Sequence, residues 1–347
     1  MIIIRPIALK DFDALCKIAA DSGQGFTSLP EDNKYLKNII EHSIRSFESN
    51  VSQPGQQGYL FVMQDTLSGA VVGTSGIQAC VGEKTPLYHH RIDHCISSSD
   101  ELKVSKKHQT LTLCTDLTAS TEICSLYLKD SHRSNGNGRT LSRFRFLFIA
   151  AHKQRFSTQI MAEMRGYGDE KNQSPFWSWF EQFFCDISFA TSNHYIGIGN
   201  MKFASELMPK HPLYTCLMSK SARDAINQVH PDTRPALNLL EKEGFKSGNY
   251  IGVNDAGPAV ICPLNKIKTV RTSETKRVKI SDVDNKEVFY LVCNHKLSEF
   301  RAAQVYLDLS AEYVFITAEV AHSLQVNEGD WLSLVKASKV IKSPSAH

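Results

Sequence analysis

The sequence predicts an α/β fold, a mixed sheet with flanking helices over residues 1–265, joined to a small β-rich C-terminal domain. Strand-like apolar runs alternate with segments whose apolar residues recur every three to four positions. The strand-like run 122–128 leads into a loop bearing Gly136 and Gly138 and then into a helical pattern, a strand–loop–helix order. Near the C-terminus, β-like runs at 313–316 and 331–335 follow a charged, apolar-poor stretch.

In chain order, residues 2–4 form a first strand. Asp11 then stands as N-cap to a short amphipathic helix carrying Phe12, Leu15, Ile18 and Ala19. Pro30-Glu31-Asp32 starts a second helix, in which Leu36, Ile39, Ile40, Ile44 and Phe47 recur at helical spacing. Residues 59–63 and 70–79 are strand-like and joined by the polar turn Asp65-Thr66-Leu67-Ser68-Gly69. A polar excursion spans about 82–109, before strands at 111–114 and 122–128. A helix over about 139–156 carries Leu141, Phe144, Leu147, Phe148 and Ala151 on one face, and 159–164 is a further strand. Residues 168 to about 229 break the alternation and read as an insertion, a lid or subunit contact, with an aromatic helix from Ser174-Pro175. A helix over 233–243 closes at Gly244, and strands at 250–253 and 259–262 flank the turn Asp255-Ala256-Gly257-Pro258. Residues 266–285 read as a linker, and 286–347 as a small barrel-like domain.

Composition excludes several function classes. A chain of 347 residues that is 42% hydrophobic can bury a full core. Its 39 basic and 36 acidic residues are intermixed, leaving a net charge of +3 and no basic stripe for a nucleic-acid backbone. The apolar run before Arg5 and Pro6 is too short for a signal peptide, and no later run reaches membrane-spanning length. Nine scattered cysteines without a CxxC pair read as reduced thiols of a cytoplasmic protein. His89-His90-Arg91-Ile92-Asp93-His94 has a metal-like spacing. No carboxylate or thiolate motif accompanies it, so it reads as polar residues on a loop or exposed strand, and no metal is expected.

The segment Leu126-Tyr127-Leu128-Lys129-Asp130-Ser131-His132-Arg133-Ser134-Asn135-Gly136-Asn137-Gly138 carries the most chemistry. Its R-x-x-G-x-G loop removes side chains where backbone N–H groups at a helix start can approach a pyrophosphate, and the helix dipole favours the negative charge. Arg133 adds a cation. Neither a Walker A sequence nor a dinucleotide-binding G-x-G-x-x-G is present. Taken alone, such a loop is equally an ordinary glycine turn between strand and helix.

The order of elements around this loop resembles the Gcn5-related N-acyltransferase fold, in which the corresponding loop binds the pyrophosphate of coenzyme A. Ala236, Leu239, Leu240, Gly244 and Phe245 are similar to that fold's late helix and its ending. One departure is the proline usual before the loop arginine, where Lys129, Asp130 and Ser131 stand instead. Further blocks resemble the arginine N-succinyltransferase family: Gly25-Phe26-Thr27-Ser28-Leu29-Pro30, Ala162-Glu163-Met164-Arg165-Gly166, Ser174-Pro175-Phe176-Trp177, Glu206-Leu207-Met208-Pro209-Lys210-His211-Pro212-Leu213-Tyr214, Gln228-Val229-His230-Pro231 and Asp255-Ala256-Gly257-Pro258. They follow family order through most of residues 1–265.

The resemblance implies transfer of a succinyl group from succinyl-CoA, a co-substrate and not a resident cofactor, to the α-amine of arginine, the opening step of arginine breakdown, by a homo-oligomer. His230 matches the family's proton donor, and a group titrating near neutrality suits a thioester aminolysis. Its other reading is a helix-start histidine before Pro231. Leu126 matches a position that contacts succinyl-CoA, and as a side chain it reads equally as core. Arg133, Gly136, Asn137 and Gly138 are assigned to the pyrophosphate, mainly through backbone donors.

The succinyl carboxylate needs a cation and the guanidinium needs a carboxylate. Arg165 and Glu163 are offered for these roles, on opposite faces of a central strand so that one of them faces the cleft. Arg139, Arg143 and Arg145 are alternative cations, otherwise solvated on a helix surface. The run Phe176, Trp177, Trp179, Phe180, Phe183 and Phe184 reads as packing within the insertion, and Gly197 and Gly199 as a loop or a turn near the substrate. Rival functions are the same fold acting on ornithine or with acetyl-CoA, and a CoA-binding partner subunit without turnover. None of the cysteines lies in an activating motif for a ping-pong mechanism.

Overall fold

The computed structural model describes residues 1–23, 27–285 and 287–337, and sixteen strands among them hydrogen-bond into one continuous sheet. The strands are β1 (Ile2–Pro6), β2 (Gly58–Asp65), β3 (Val71–Gln78), β4 (His89–Ser99), β5 (Val104–Cys114), β6 (Thr121–Leu128), β7 (Gln159–Glu163) and β8 (Leu213–Tyr214). They continue with β9 (Lys246–Gly252), β10 (Pro258–Pro263), β11 (Glu274–Ile280), β12 (Phe289–Asn294), β13 (Ala302–Tyr306), β14 (Asp308–Leu309), β15 (Tyr313–Ile316) and β16 (Trp331–Lys336). Their order is β14-β15-β11-β16-β12-β13-β1-β2-β3-β6-β7-β10-β9-β4-β5-β8, antiparallel except for β6–β7 and β11–β15.

Helices α1 (Phe12–Ser22) and α2 (Asn33–Glu48) cover one face of the first strands, and α3 (Asn137–Ala151) covers the other. Strand β2 shows why both faces are needed. Tyr59, Phe61 and Met63 join the α3 core while Leu60 and Val62 join the α1–α2 core, the period-two alternation of a strand buried on both sides. On the α3 side, Phe61 meets Phe144 at 4.8 Å and Phe300 at 5.4 Å between ring centroids, edge to face. Each such ring contributes about 1.5–3 kcal/mol by burial.

The remaining helices are α4 (Pro175–Phe184), α5 (Phe189–Gly197), α6 (Lys202–Leu207), α7 (Lys220–Ala225), α8 (Arg234–Glu243), α9 (Lys268–Thr272) and α10 (Ala318–Leu324). Helix α4 starts where Ser174 Oγ accepts the Trp177 amide at 3.1 Å, with Pro175 in its first turn. Helix α8 ends at Gly244 with φ of +106°, a left-handed C-cap.

Three expectations need correction. The polar excursion at 82–109 is largely a hairpin, β4 and β5 pairing from His89↔Cys114 to Ser99↔Val104. Its outer half faces solvent on both sides, so no apolar alternation marks it. Within it His89 and His90 are buried, not exposed. Residues 266–285 are no linker: they carry α9 and β11, which lies between β15 and β16. Strand β11 reads as charged because its cations cover aromatic rings, Arg277 at 4.6 Å over Trp331 and Lys279 at 4.2 Å over Tyr313, while Val278 points inward. The C-terminal strands form no closed barrel among the described residues. They extend the main sheet through β13 and β1, with Ile3 opposite Ala303. Residues 338–347 of that expected domain, and Gly25 and Phe26 of the first family-like block, lie outside the described residues.

The gap that positions the site arises from strand pairing. β6 and β7 run parallel and pair at Thr121↔Ile160 and Glu122↔Met161. Beyond that point β6 follows β3 through a bulge, with Ser125 at φ of +52°, while β7 follows β10. The two strands therefore diverge and leave an opening through the sheet.

Candidate functional site

A cavity of about 920 Å³ occupies this opening. Glu122, Cys124 and Leu126 border it from β6, Glu163 and Arg165 from the end of β7, and Arg145 from α3. A second cavity of about 520 Å³ on the α2 side shares Glu122, Cys124 and Glu163 and adds Tyr35 and His42.

Of the residues expected to hold the acyl donor, Leu126 and Arg133 border the larger cavity. The Arg133 guanidinium folds back on its own loop, with Nε donating to the Leu128 carbonyl at 3.1 Å and Nη1 at 3.0 Å from Asp130. Gly136, Asn137 and Gly138 form the start of α3 without bordering the cavity. Gly136 takes φ of +78° as N-cap, a conformation that favours glycine. Asn137 Nδ2 donates to the His132 carbonyl at 3.0 Å, which holds the loop closed on itself.

Glu163 and Arg165 do not oppose one another. Residues two apart on a strand share a face, and both border the cavity. Glu163 Oε1 lies 2.7 Å from His89 Nε2, within ion-pair range though outside hydrogen-bond geometry. Burial lowers the pKa of Arg165, opposed by the charges of Asp232 and Asp255. Asp255 accepts the amides of Gly166 at 2.7 Å and Gly257 at 2.8 Å. A side chain on Gly166 would lie 2.1 Å from the Asp255 carbonyl oxygen, and one on Gly257 2.1 Å from that of Met164. Two of the family-like blocks thus interlock backbone to backbone.

His230 sits beside these groups and does not border the cavity, although Asp232 and Thr233 do. Its amide donates to the Arg165 carbonyl at 2.9 Å. Its Nδ1 accepts the Asp232 amide at 3.2 Å, which assigns the ring proton to Nε2. Burial and then the Arg165 charge lower its pKa, so the imidazole is neutral at pH 7.

Glu122 escaped the sequence reading. Glu122, on the α2 face, has its carboxyl pushed up to about 8 by burial and by the Glu163 charge. A charged residue inside a strand otherwise without charge was the available signal. Arg145, offered as an alternative cation and otherwise as a solvated helix residue, is 2% exposed. Arg143 is also buried and is bound to Glu243 at 3.0 Å and to Thr269 at 3.1 Å, away from the cavity. Among the cysteines, Cys124 borders the cavity, and burial pushes its thiol up to about 12, which removes the thiolate needed for nucleophilic attack. Gly197 and Gly199 border the smaller cavity, and the aromatic run packs beyond the insertion as well as within it, Phe176 with Leu111 and Ile251 and Trp177 and Phe180 with Met201 and Val253.

Comparison with known proteins places the chain in a family. A family model described as the arginine N-succinyltransferase beta subunit matches residues 2–269, and the model of its C-terminal domain matches 274–335. The arginine N-succinyltransferase of Yersinia enterocolitica is 39% identical over 337 residues, covering 96% of this chain and 97% of its own. That of Escherichia coli is 37% identical over 339 residues, covering 97% and 98%. The solved arginine/ornithine succinyltransferase subunit AI from Pseudomonas aeruginosa superposes with a TM-score of 0.89 at 33% identity, covering 97% of this chain and 99% of that one. With both its domains matched in order and its length spanned by these relatives, the chain belongs to the arginine N-succinyltransferase family.

Proposed function

We propose that this chain transfers the succinyl group of succinyl-CoA to the α-amine of L-arginine, giving N2-succinyl-L-arginine and CoA. The observation that carries the reading is the cavity through the β6–β7 gap, with a cation on its α3 side and two carboxylates on its α2 side. Such a passage lets a thioester enter from one face and a cationic amine from the other. Glu122 and Glu163 receive the cationic acceptor, and Arg165, partly compensated by Asp232 and Asp255, contacts a substrate carboxylate. Arg133 and the start of α3, with Gly136, Asn137 and Gly138, receive the pyrophosphate through backbone N–H groups.

The amine attacks the thioester carbonyl, a C–N bond forms and the C–S bond breaks. The attacking nitrogen loses one proton and the CoA thiolate gains one, so the proton carrier is a relay. His230 is that relay, supported by the attachment of its amide to the Arg165 carbonyl beside the cavity. Glu122, which does border the cavity, is the second candidate carrier. Holding both reactants in one gap supplies most of the acceleration. A cytoplasmic homo-oligomer is part of the same reading, and the nine free cysteines suit a reducing compartment. No helix among the described residues is long and apolar enough to cross a membrane.

The test is thiol release from succinyl-CoA or acetyl-CoA with arginine, ornithine or lysine, comparing the wild type with His230→Ala. Turnover with succinyl-CoA and arginine, reduced about 100-fold or more in the variant while CoA binding persists, is the expected result. Folded protein without turnover on any pair sinks the reading. Turnover on ornithine as well would favour the wider acceptor range named for the Pseudomonas aeruginosa protein.

A further inference from the structure

Arg145 lies within α3, 2% exposed, and borders the larger cavity. Its Nε donates to the Ser142 carbonyl at 3.0 Å and its Nη2 to the Ser142 hydroxyl at 3.1 Å, both within the same helix turn. Among the described residues no carboxylate lies within ion-pair range of it, and its Nη1 makes no hydrogen bond. The contrast with other buried arginines is direct. Arg5 is clamped by Asp11 and Arg143 by Glu243. Arg155, also without a carboxylate, gives both terminal nitrogens to the Tyr59 hydroxyl and the Ser49 carbonyl, away from the cavity.

A buried guanidinium without a counter-charge is costly. Nearby groups do not supply one. The Cys124 thiol is held protonated by burial, and Arg165 at the same cavity is already faced by Asp232 and Asp255. What the site lacks is an anion, and the cavity gives an anion access to it.

We infer that Arg145 is the residue that reads the distal carboxylate of the acyl donor, making the site selective for a dicarboxylic acyl-CoA over a neutral one. This rests on the acyl transfer proposed above. The Ser142 contacts fix the guanidinium plane and leave one nitrogen for the ligand. Cys124, the β6 residue whose charge would be felt by Arg145, precedes Leu126 by two positions, and all three border the same cavity. A thioester held at Leu126 would place the free carboxylate of a diacid chain in the cavity that Arg145 borders, where a charge-assisted hydrogen bond can form. Glu122, protonated at neutral pH on the opposite face, presents no like charge to the donor.

The test measures binding of succinyl-CoA and of butyryl-CoA, its uncharged counterpart, without acceptor, by calorimetry. Wild type is expected to prefer succinyl-CoA by about 10- to 100-fold, the worth of one or two hydrogen bonds between charged groups. Arg145→Met is expected to erase that preference while binding of free CoA persists, and Arg145→Lys to restore part of it. No preference in the wild type, or a preference retained by a folded Arg145→Met protein, overturns the inference. Should the Met variant not fold, Arg145→Lys decides: a preference equal to wild type overturns the assignment of a fixed guanidinium, and a reduced one supports it. These outcomes are separate from the proposed reaction, because a wild type that turns over succinyl-CoA and arginine stands whatever Arg145 does.

Discussion

Glu122 carries the protonation state with the largest consequence for acceptor binding. With its carboxyl pushed up to about 8, it is protonated at neutral pH. A guanidinium or ammonium arriving beside it favours the carboxylate and drives the proton off. Arginine affinity is therefore expected to rise with pH up to about 8 and then level off. Calorimetry at pH 7 in buffers of different ionisation heat should register close to one proton released per arginine, and Glu122→Gln should abolish the release. The stability sign is opposite. A carboxyl whose folded pKa lies above its unfolded value of about 4.3 contributes stability at low pH that is lost as pH rises towards 8. Unfolding experiments across pH 4–8 should show a shallower decline in Glu122→Gln. The residue scale also shows what short-range reading misses. Asp11 occupies the N-cap position expected of it, yet its carboxylate caps no amide of α1. It takes the Arg5 guanidinium at 2.7 and 2.9 Å and the Ala8 amide at 2.9 Å instead, because β1 delivers a buried cation that needs a partner.

At the scale of elements, α3 shows how one helix serves two purposes. Its apolar face was legible from Leu141, Phe144, Leu147 and Phe148, all buried in the main core. The fate of its arginines was not, because periodicity does not say what packs against a second face. Arg143 joins Glu243 and Thr269 in a buried network that ties α3 to α8 and α9, with the Thr269 amide donating to Glu243 at 2.7 Å. Removing one partner leaves the other charge buried and unpaired. Arg143→Ala or Glu243→Ala is expected to cost about 3–5 kcal/mol in chemical denaturation. The double substitution should cost less than the sum, as a cycle on a real pair requires. The β4–β5 hairpin marks the opposite limit: its outer strands are polar on both faces, so pairing that is regular in space leaves no trace in hydropathy.

Across the whole molecule, the expected two-domain division does not interrupt the core. Leu291, Cys293, Phe300 and Val335 from beyond residue 285 belong to the same buried cluster as Phe61 and Phe144, and β13 pairs with β1. Unfolding is expected to be one cooperative transition, with far-ultraviolet circular dichroism and tryptophan fluorescence coincident; two separated transitions would indicate independent units. Trp177 lies on α4 and Trp331 on β16 of the C-terminal strands, so fluorescence of single-tryptophan variants tests both regions. The sequence by itself determined the strand–loop–helix order, the caps at Asp32, Ser174 and Gly244, and the family-like blocks that include His230. The first two caps were read as helix-start signals, Pro30-Glu31-Asp32 and Ser174-Pro175, and all of these depend on contiguous residues and local backbone geometry. Tertiary structure alone decided that β6 and β7 diverge, that Glu122 and Glu163 share a face, and that Arg145 is buried without a counter-charge. Those facts depend on which strands neighbour one another and on how deeply a charge is taken from water, and both are set by residues far apart in the chain.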